Sequence, residues 1–243
     1  MTKAIGILGA GWVGKAFAEA LIDQGYSVHV SRRTFKDDLK SARHFLINLA
    51  DNSALKDFLN VETLFICIPS KNSVEFENLI EEINRSSIKR VIYLSSTGVY
   101  RDSKHPLIEI ENMLLKHINC PVFVVRLGGL VGYNREPGNF FKNQKPIPRP
   151  NHPVNLIHRD DVIGILLKLA ELKFNKNYTL DAVADLHPHR LEYYQNRQKL
   201  LGNRISPGGM PSDREALRIS NEEIKRLLAY EFIYGDLIFP FQN

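Results

Sequence analysis

The sequence has few cysteines, and their placement indicates neither a disulfide framework nor a metal site. Its 243 residues include two, Cys67 in "LFICIP" and Cys120 in "INCPVF", each inside an apolar run without metal-ligand spacing. Cysteines in such runs are usually buried, reduced thiols, which excludes a disulfide-stabilised secreted domain. We therefore expect a reducing, cytoplasmic compartment.

Long apolar runs and long basic runs are also absent. No apolar stretch reaches the roughly 18 residues that a membrane span needs. The apolar opening "MTKAIGILGAGWVG" leads into an amphipathic helix pattern without a signal-peptide cleavage site. The net charge of +5 comes from Lys and Arg scattered among acidic residues. We therefore expect no membrane or nucleic-acid partner, whereas an anionic small ligand fits the charge.

What the sequence does contain is a regular alternation of short strands and amphipathic helices. Helical spacing separates the strand-like runs, as in "VGKAFAEALIDQG" and "VEFENLIEEINRS". This alternation predicts an α/β fold, a Rossmann doubly wound parallel sheet whose strands are buried on both faces. The predicted strands of the first half are "KAIGILG", "YSVHVS", "HFLINL", "TLFICIP", "RVIYLSS" and "PVFVVRL".

After Arg126 the composition changes. The run "GGLVGYNREPGNFFKNQKPIPRPNHP" is rich in Gly, Pro and Asn, and it predicts a long loop of the kind that often carries function. The part that follows is short for an independent core. We therefore predict a dinucleotide-binding Rossmann domain over residues 1–150, and a small C-terminal substrate-binding cap over 151–243 that packs on the same core.

The stretch "GILGAGWVG" places Gly9, Gly11 and Gly14 in a G-x-G-x-x-G pattern between the first strand and the first helix. Gly9 permits the tight turn, Gly11 lets backbone amides approach a pyrophosphate, and Gly14 lets the helix pack closely on the strand. A structural glycine turn is the alternative. The strand-turn-helix context favours a dinucleotide site, with these glycines as cofactor-binding residues.

The end of the second strand indicates which dinucleotide is bound. An NAD site would carry an acidic residue there, to accept hydrogen bonds from the adenosine ribose. This chain has Ser31, Arg32 and Arg33 instead. A guanidinium suits a 2′-phosphate, so the residues predict NADP rather than NAD, with Arg32 ranked before Arg33. Solvated surface arginines are the alternative.

Several segments in the right order resemble the extended or atypical short-chain dehydrogenase/reductase superfamily, the group of NAD-dependent epimerases and dehydratases. They are the glycine loop, "INLADNSAL", "LSSTGVY", "VVRLGGLVG", "NLIHRDDV" and "RISNEEIKRLL". The resemblance implies a pyridine-nucleotide cofactor and a small-molecule substrate, with nucleotide sugars among the candidate classes. A homodimer formed through helices that flank the sheet is common in this superfamily.

The resemblance also assigns roles residue by residue. Ser96 matches the catalytic serine or threonine that hydrogen-bonds the reacting oxygen, with Thr97 as its nearest substitute. A structural reading stays open, because such residues often satisfy backbone groups at strand ends. The implied cofactor contacts are Gly9, Gly11, Trp12 and Val13 at the pyrophosphate, Asn48 and Leu49 beside the adenine, and Pro69 and Ser70 at the nicotinamide ribose.

The superfamily's catalytic tyrosine and lysine have no match. They lie on a helix before a glutamate that Glu111 resembles. The tyrosine would fall near Ser103 or Lys104 and the lysine near Leu107 or Ile108, and no tyrosine and lysine fit these two places. The literal Tyr100-x-x-x-Lys104 spacing falls in a predicted loop, because Pro106 suits the first turn of the next helix. With nine tyrosines in the chain, we interpret that spacing as a coincidence.

A substitute proton donor would come from Tyr100 itself, His105, Tyr133 or His158. The resemblance places the "IH-x-x-D" motif of His158 near the substrate. Helix capping or a bond to Asp161 is the alternative for this histidine. Arg126 is predicted to be structural, and a contact with a substrate phosphate is the alternative. The pair His187 and His189 in "LHPHR" lacks a ligand partner at metal spacing, so no metal site is predicted.

Two functions fit these observations. The first is an NADP(H)-dependent oxidoreductase or a nucleotide-sugar epimerase or dehydratase, acting on a hydroxyl or keto compound through Ser96 and Tyr100. The second is a non-catalytic NADP(H)-binding sensor or scaffold, which the missing tyrosine–lysine dyad motivates. The serine and the long loops favour the enzyme.

Overall fold

The fold is built on a seven-stranded parallel sheet, which confirms the predicted Rossmann class. The computed structural model describes residues 4–50 and 54–238. Its strands are β1 Ala4–Leu8, β2 Ser27–Arg32, β3 Arg43–Leu46, β4 Thr63–Ile66, β5 Arg90–Ser96, β6 Val122–Leu127, β7 Gly129–Val131, β8 Leu156–His158 and β9 Tyr178–Ala182. Its helices are α1 Trp12–Asp23, α2 Leu55–Phe58, α3 Ser73–Arg85, α4 Pro106–His117, α5 Arg159–Glu171, α6 Arg190–Leu200 and α7 Glu222–Leu228.

Burial on both faces explains the continuous apolar strands. Every residue of β4 is buried, and only the first residue of β1 is partly exposed. Parallel sheets carry helices on both faces, so their strands lose the alternation of apolar and polar residues. The strand runs of the sequence therefore predicted the sheet correctly.

The strand order places a ligand crevice at the start of the chain. The order is β3-β2-β1-β4-β5-β6-β9, so β1 lies between β2 and β4 and the connection reverses direction there. Open α/β sheets bind ligands beyond the carboxyl ends of the strands at such a reversal. The glycine loop follows β1 and Pro69 follows β4, so both lie at this edge.

The chain divides into two compact units that alternate along the sequence. One comprises residues 1–126 and 163–180, and the other comprises residues 127–162 and 181–243. This division differs from a single boundary at residue 150, because the chain returns to the first unit through most of α5. The assignment of a cofactor domain and a substrate cap stays a prediction.

The long loop predicted after Arg126 contains regular structure. Residues Gly129–Val131 form β7, which pairs in parallel with β8 at residues Leu156–His158. Short 3-10 turns follow at Pro137–Asn139 and Lys142–Gln144. A Cβ on Gly128 would lie 2.9 Å from the Asn155 backbone oxygen, so glycine here permits close backbone approach. The loop prediction was wrong for β7, because the partner strand lies far along the chain.

Within residues 4–50 and 54–238, no helix is both long enough and apolar enough to cross a bilayer.

Candidate functional site

The glycine loop between β1 and α1 has the geometry that close ligand approach requires. Gly9 has a φ of 99°, where side chains are strained, and a Cβ on Gly14 would lie 2.2 Å from the Gly9 backbone oxygen. At Gly11, by contrast, an added Cβ would have no non-neighbouring atom of the described residues within 4 Å. Glycine is therefore needed at positions 9 and 14 by the backbone conformation and the packing. At Gly11 the surface is unobstructed.

The amino-terminal end of α1 suits an anion. No side-chain hydrogen bond caps the helix at Gly11, and its first turn contains no acidic residue. The first backbone N–H groups of a helix lack partners within the helix, and they carry the positive end of its dipole. A phosphate at this position would satisfy them.

Strand β2 holds the glycine loop in place. The Gly9 amide donates to Ser31 Oγ at 3.0 Å, and Arg32 Nε donates to the Ala10 carbonyl at 2.9 Å. Ser31 is 2% exposed. The serine and the first arginine predicted at the ribose therefore also have a structural role in the loop.

The two arginines at the end of β2 have different surroundings. Arg32 Nη1 donates to the Lys36 carbonyl at 3.3 Å and forms an ion pair with Asp38. The bond from Arg32 lowers the pKa of Asp38. Arg33 is exposed, and none of the hydrogen bonds or ion pairs between described residues engages its guanidinium. Arg33 is therefore the arginine with all its donors available to an incoming anion.

The other residues assigned to the cofactor lie at the same edge of the sheet. Asn48 is exposed and Leu49 is buried after β3, while Trp12 and Val13 open α1. After β4, Pro69 is exposed and the Ser70 hydroxyl donates to Glu75 at 2.5 Å. This bond ties Ser70 to the first turn of α3.

The end of β5 carries the predicted catalytic serine. Ser96 Oγ accepts from the Gly98 amide at 3.1 Å, so it starts a 3-10 turn at Thr97–Arg101. Ser96 thus has the structural role that was the alternative in the sequence analysis, since it satisfies a backbone group at a strand end. Its side chain is half-buried. Thr97 is buried, and the neighbouring Ser95 donates to Glu111.

Tyr100 and Lys104 do not share a helix, which confirms the loop prediction. Tyr100 lies in the 3-10 turn, Lys104 is in the following turn, and α4 begins at Pro106. His105 caps α4, since its side chain accepts from the Leu107 amide at 3.3 Å. The literal spacing therefore does not create the helical dyad geometry.

Arg126 occupies a position beside Tyr100 that the sequence did not predict. Its Nη1 donates to Tyr100 Oη at 2.9 Å, and its Cζ lies 5.0 Å from the centre of the Tyr100 ring. The remaining nitrogens bind both carboxylate oxygens of Glu111, with the shortest contact 2.6 Å from Nη2 to Oε2. In the sequence, the two residues appear only as single charged residues within the apolar runs "IEIE" and "VVRL", and this pattern does not pair them.

His158 lies in the second unit among aromatic side chains. Its ring is 1% exposed, and its centre lies 3.8 Å from that of Tyr234. Burial lowers the pKa of His158, and its Nδ1 accepts from the Asp160 amide at 3.2 Å. Asp160, rather than the expected Asp161, is thus its neighbour and also accepts from Tyr133 Oη at 2.8 Å. His158 therefore caps the amino-terminal end of α5.

The two histidines of "LHPHR" bind backbone carbonyls. His187 Nδ1 lies 2.9 Å from the Val154 oxygen, and His189 Nδ1 lies 2.8 Å from the Asn151 oxygen. Within the part of the chain that the structure describes, no three His, Cys, Asp or Glu side chains are grouped to hold a metal ion. The histidines therefore connect two segments of one unit.

The strand, glycine loop and helix on a doubly wound sheet define a protein of the Rossmann class. The sequence model described as NADP oxidoreductase, coenzyme F420-dependent, matches residues 4–97. Protein YeeZ of Escherichia coli strain K12 is 31% identical over 99% of this chain and 100% of its own. The chain belongs to the family of Protein YeeZ.

Solved structures share the fold at low sequence identity. A protein described as an NAD-dependent epimerase/dehydratase from Methylobacillus flagellatus has a TM-score of 0.79 and 18% identity, covering 98% of this chain and 96% of its own. MoeE5 in complex with UDP-glucuronic acid and NAD has a TM-score of 0.77 and 17% identity, covering 94% and 93% respectively. These similarities extend over the whole chain and support the fold.

Proposed function

We propose that this protein is an NADP(H)-dependent oxidoreductase that acts on a hydroxyl or keto group of a small, anionic substrate. The observation that carries the proposal is the open surface at Gly11 on the uncapped end of α1. Ser96 ends β5 and Tyr100 follows it, at the same carboxyl edge of the sheet as that loop. A cofactor and a substrate oxygen would therefore meet at one edge.

The residues of this chain fit the cofactor in specific ways. The α1 amides would bind the pyrophosphate, while Arg33 and Arg32 would bind a 2′-phosphate. The bound cofactor supplies or accepts a hydride at its nicotinamide. Ser96 would hydrogen-bond the reacting oxygen, and Tyr100 would supply its proton. Thr97 is the further candidate for these polar roles, and the role of His158, which lies in the second unit, stays a prediction.

A nucleotide sugar is the substrate class we propose first. MoeE5 is described in complex with UDP-glucuronic acid and NAD, and its fold covers 94% of this chain. The net charge of +5 suits an anionic substrate of this kind. Epimerisation or dehydration would use the same hydride and proton transfers, so these reactions belong to the same proposal.

We predict that Arg33→Ala weakens NADPH binding about tenfold and leaves NADH binding unchanged, because one charge-assisted hydrogen bond contributes about 1.5 kcal/mol. Arg32→Ala should weaken both cofactors, because Arg32 also holds the Ala10 carbonyl of the glycine loop. Fluorescence titration of the purified protein and both variants with NADPH and NADH measures this. Equal affinities of the parent for the two cofactors would contradict the preference for NADP.

We predict that Ser96→Ala lowers turnover with a keto nucleotide sugar by about a hundredfold, because it removes a hydrogen bond to the reacting oxygen. NADPH oxidation followed by absorbance, over a panel of carbonyl substrates, measures turnover. The matched control is Ser87→Ala, whose side chain is exposed before β5. Turnover that is equal in the parent, Ser96→Ala and Ser87→Ala would contradict the role of Ser96.

A non-catalytic NADP(H) sensor or scaffold is the second candidate. The observation that favours it is helix α4, Pro106–His117, which contains no tyrosine. A sensor would bind NADPH and NADP with different affinities, bind a protein partner only in one of these states, and turn over none of the carbonyl panel. Turnover of any substrate in the absence of a partner would exclude it.

We also propose a cytoplasmic location and a homodimer. Both cysteines are free thiols, and burial raises the pKa of Cys67 to about 12, which keeps the thiol protonated and unreactive. Reduced, inert thiols suit a reducing compartment. The dimer rests on the resemblance to the superfamily, and light scattering of the purified protein would measure its mass.

A further inference from the structure

We propose that Arg126, anchored by Glu111, replaces the missing lysine and directs Tyr100 to act as the proton donor. The inference rests on the proposed oxidoreductase function and deepens it at the same site. Arg126 is a positioning residue in this scheme, because it acts on the substrate only through Tyr100. Lys104, which gives the literal sequence match, has no such role.

The anchoring of Arg126 comes from a buried carboxylate. Glu111 is 2% exposed, and it accepts from Arg126 Nε at 3.2 and 3.1 Å and from Nη2 at 2.6 Å. Ser95 donates to the same carboxylate. A guanidinium held in a fork at a carboxylate has little rotational freedom, so its remaining nitrogen has a fixed direction.

That remaining nitrogen determines how the Tyr100 hydroxyl is used. A guanidinium can only donate, so Tyr100 Oη must accept the 2.9 Å bond from Arg126 Nη1. The phenol therefore keeps its own proton out of this bond. Tyr100 is 44% exposed, so a ligand can reach the side chain. In the proposal, the acceptor of the Tyr100 proton is a substrate oxygen.

The charges around Tyr100 favour its ionised form. The bonds to Glu111, and then the bond to Tyr100, raise the pKa of Arg126, which therefore stays charged. A fixed positive charge beside a phenol stabilises the phenolate. On β5, burial raises the pKa of Tyr93, so that phenol near Glu111 stays neutral. The charged neighbours along the chain, Arg101, Asp102 and Lys104, are exposed.

In the proposed reaction, reduction of the substrate is balanced by oxidation of the nicotinamide. In reduction of a carbonyl substrate, a hydride from the reduced nicotinamide forms the new C–H bond at the carbonyl carbon. The π electron pair of the C=O bond moves to oxygen, which takes the Tyr100 proton. The substrate is reduced to an alcohol, the nicotinamide is oxidised, and Tyr100 becomes a phenolate that Arg126 stabilises. Oxidation of an alcohol follows the reverse path.

The first test measures Tyr100 ionisation without any cofactor. The ultraviolet absorbance of tyrosinate, titrated in the protein and in Tyr100→Phe, gives the Tyr100 contribution by difference. We expect that contribution to move to higher pH in the double variant Glu111→Gln/Arg126→Gln, and to stay unchanged in Lys104→Gln. The double variant removes both charges, so neither charge is left buried and unpaired.

If the first double variant does not fold, the same measurements are made on a second one, Glu111→Leu/Arg126→Met. Apolar replacement of a buried ion pair usually preserves stability. In an active enzyme we expect kcat to fall at least tenfold in either folded double variant, with KM little changed and the pH profile of kcat displaced. Lys104→Gln should keep the parent's rate.

The outcomes separate the two proposals. An unchanged Tyr100 titration in a folded double variant overturns the Arg126 inference, even if the enzyme is active. A displaced titration in Lys104→Gln would assign the role to that lysine and would also overturn it. Absence of cofactor binding or turnover in the parent protein overturns the proposed function instead. This result is measured on the parent protein and needs no variant.

Discussion

Gly11→Ala is expected to weaken NADPH binding by ten- to a hundredfold while leaving the thermal midpoint of unfolding unchanged. An added Cβ at Gly11 has no non-neighbouring atom of the described chain within 4 Å, so the folded protein accommodates it. The same Cβ occupies the surface on which a pyrophosphate would lie. Losing that close approach corresponds to about 1.4 to 2.8 kcal/mol of binding free energy.

The matched control is Gly14→Ala, three residues further along the same glycine motif, in the first turn of α1. Its Cβ would lie 2.2 Å from the Gly9 backbone oxygen, and only a backbone shift relieves such a contact. We expect a lower midpoint for Gly14→Ala, measured by calorimetry beside fluorescence titration with NADPH. Full NADPH affinity in Gly11→Ala would refute the glycine loop as the cofactor site.

Asp161→Ala is expected to destabilise the protein by roughly 3 kcal/mol, because several buried donors lose one acceptor. Asp161 is 0% exposed and accepts from Tyr230 Oη at 3.0 Å, the Ile233 amide at 2.7 Å and the Tyr234 amide at 3.0 Å. It thereby connects the start of α5 to the segment after α7. Asp161→Asn should also destabilise, since its NH₂ group would face a backbone donor.

Urea denaturation at pH 8 measures these differences, with Asp213→Asn as a control at an exposed site. Burial raises the pKa of Asp161 above its unfolded value. The folded state therefore takes up this proton at a higher pH than the unfolded state, and any stability from protonation is lost as pH rises. Alkaline buffer keeps the carboxylate ionised in both states. Equal stabilities of Asp161→Ala and the parent would contradict the buried-acceptor role.

Local patterns predicted the backbone geometry of the glycine loop well. The turn at Gly9 and the close packing at Gly14 follow from their spacing, and the structure has both features. The sequence also predicted that α4 begins near Pro106, because proline suits a first helical turn. Such features depend on a few neighbouring residues, so a short stretch of sequence contains them.

Features that depend on residues far apart in the sequence were predicted less completely. Strand β7 was hidden in a glycine-rich run, because its pairing with β8 joins Gly129 to Leu156. Asp160 and Asp161 are adjacent in sequence, yet one lies beside His158 and the other binds the segment around Ile233. A local pattern cannot choose between two such neighbours.

By itself, the sequence determined the fold class of this protein: the alternating strands and the glycine loop specify a doubly wound Rossmann sheet. Each of these is a local property of strands, turns and helix ends. Only the tertiary structure decided that Arg126 meets Tyr100, 26 residues away, across the ends of β5 and β6. Strand order and register set that contact, and they depend on the packing of the whole sheet.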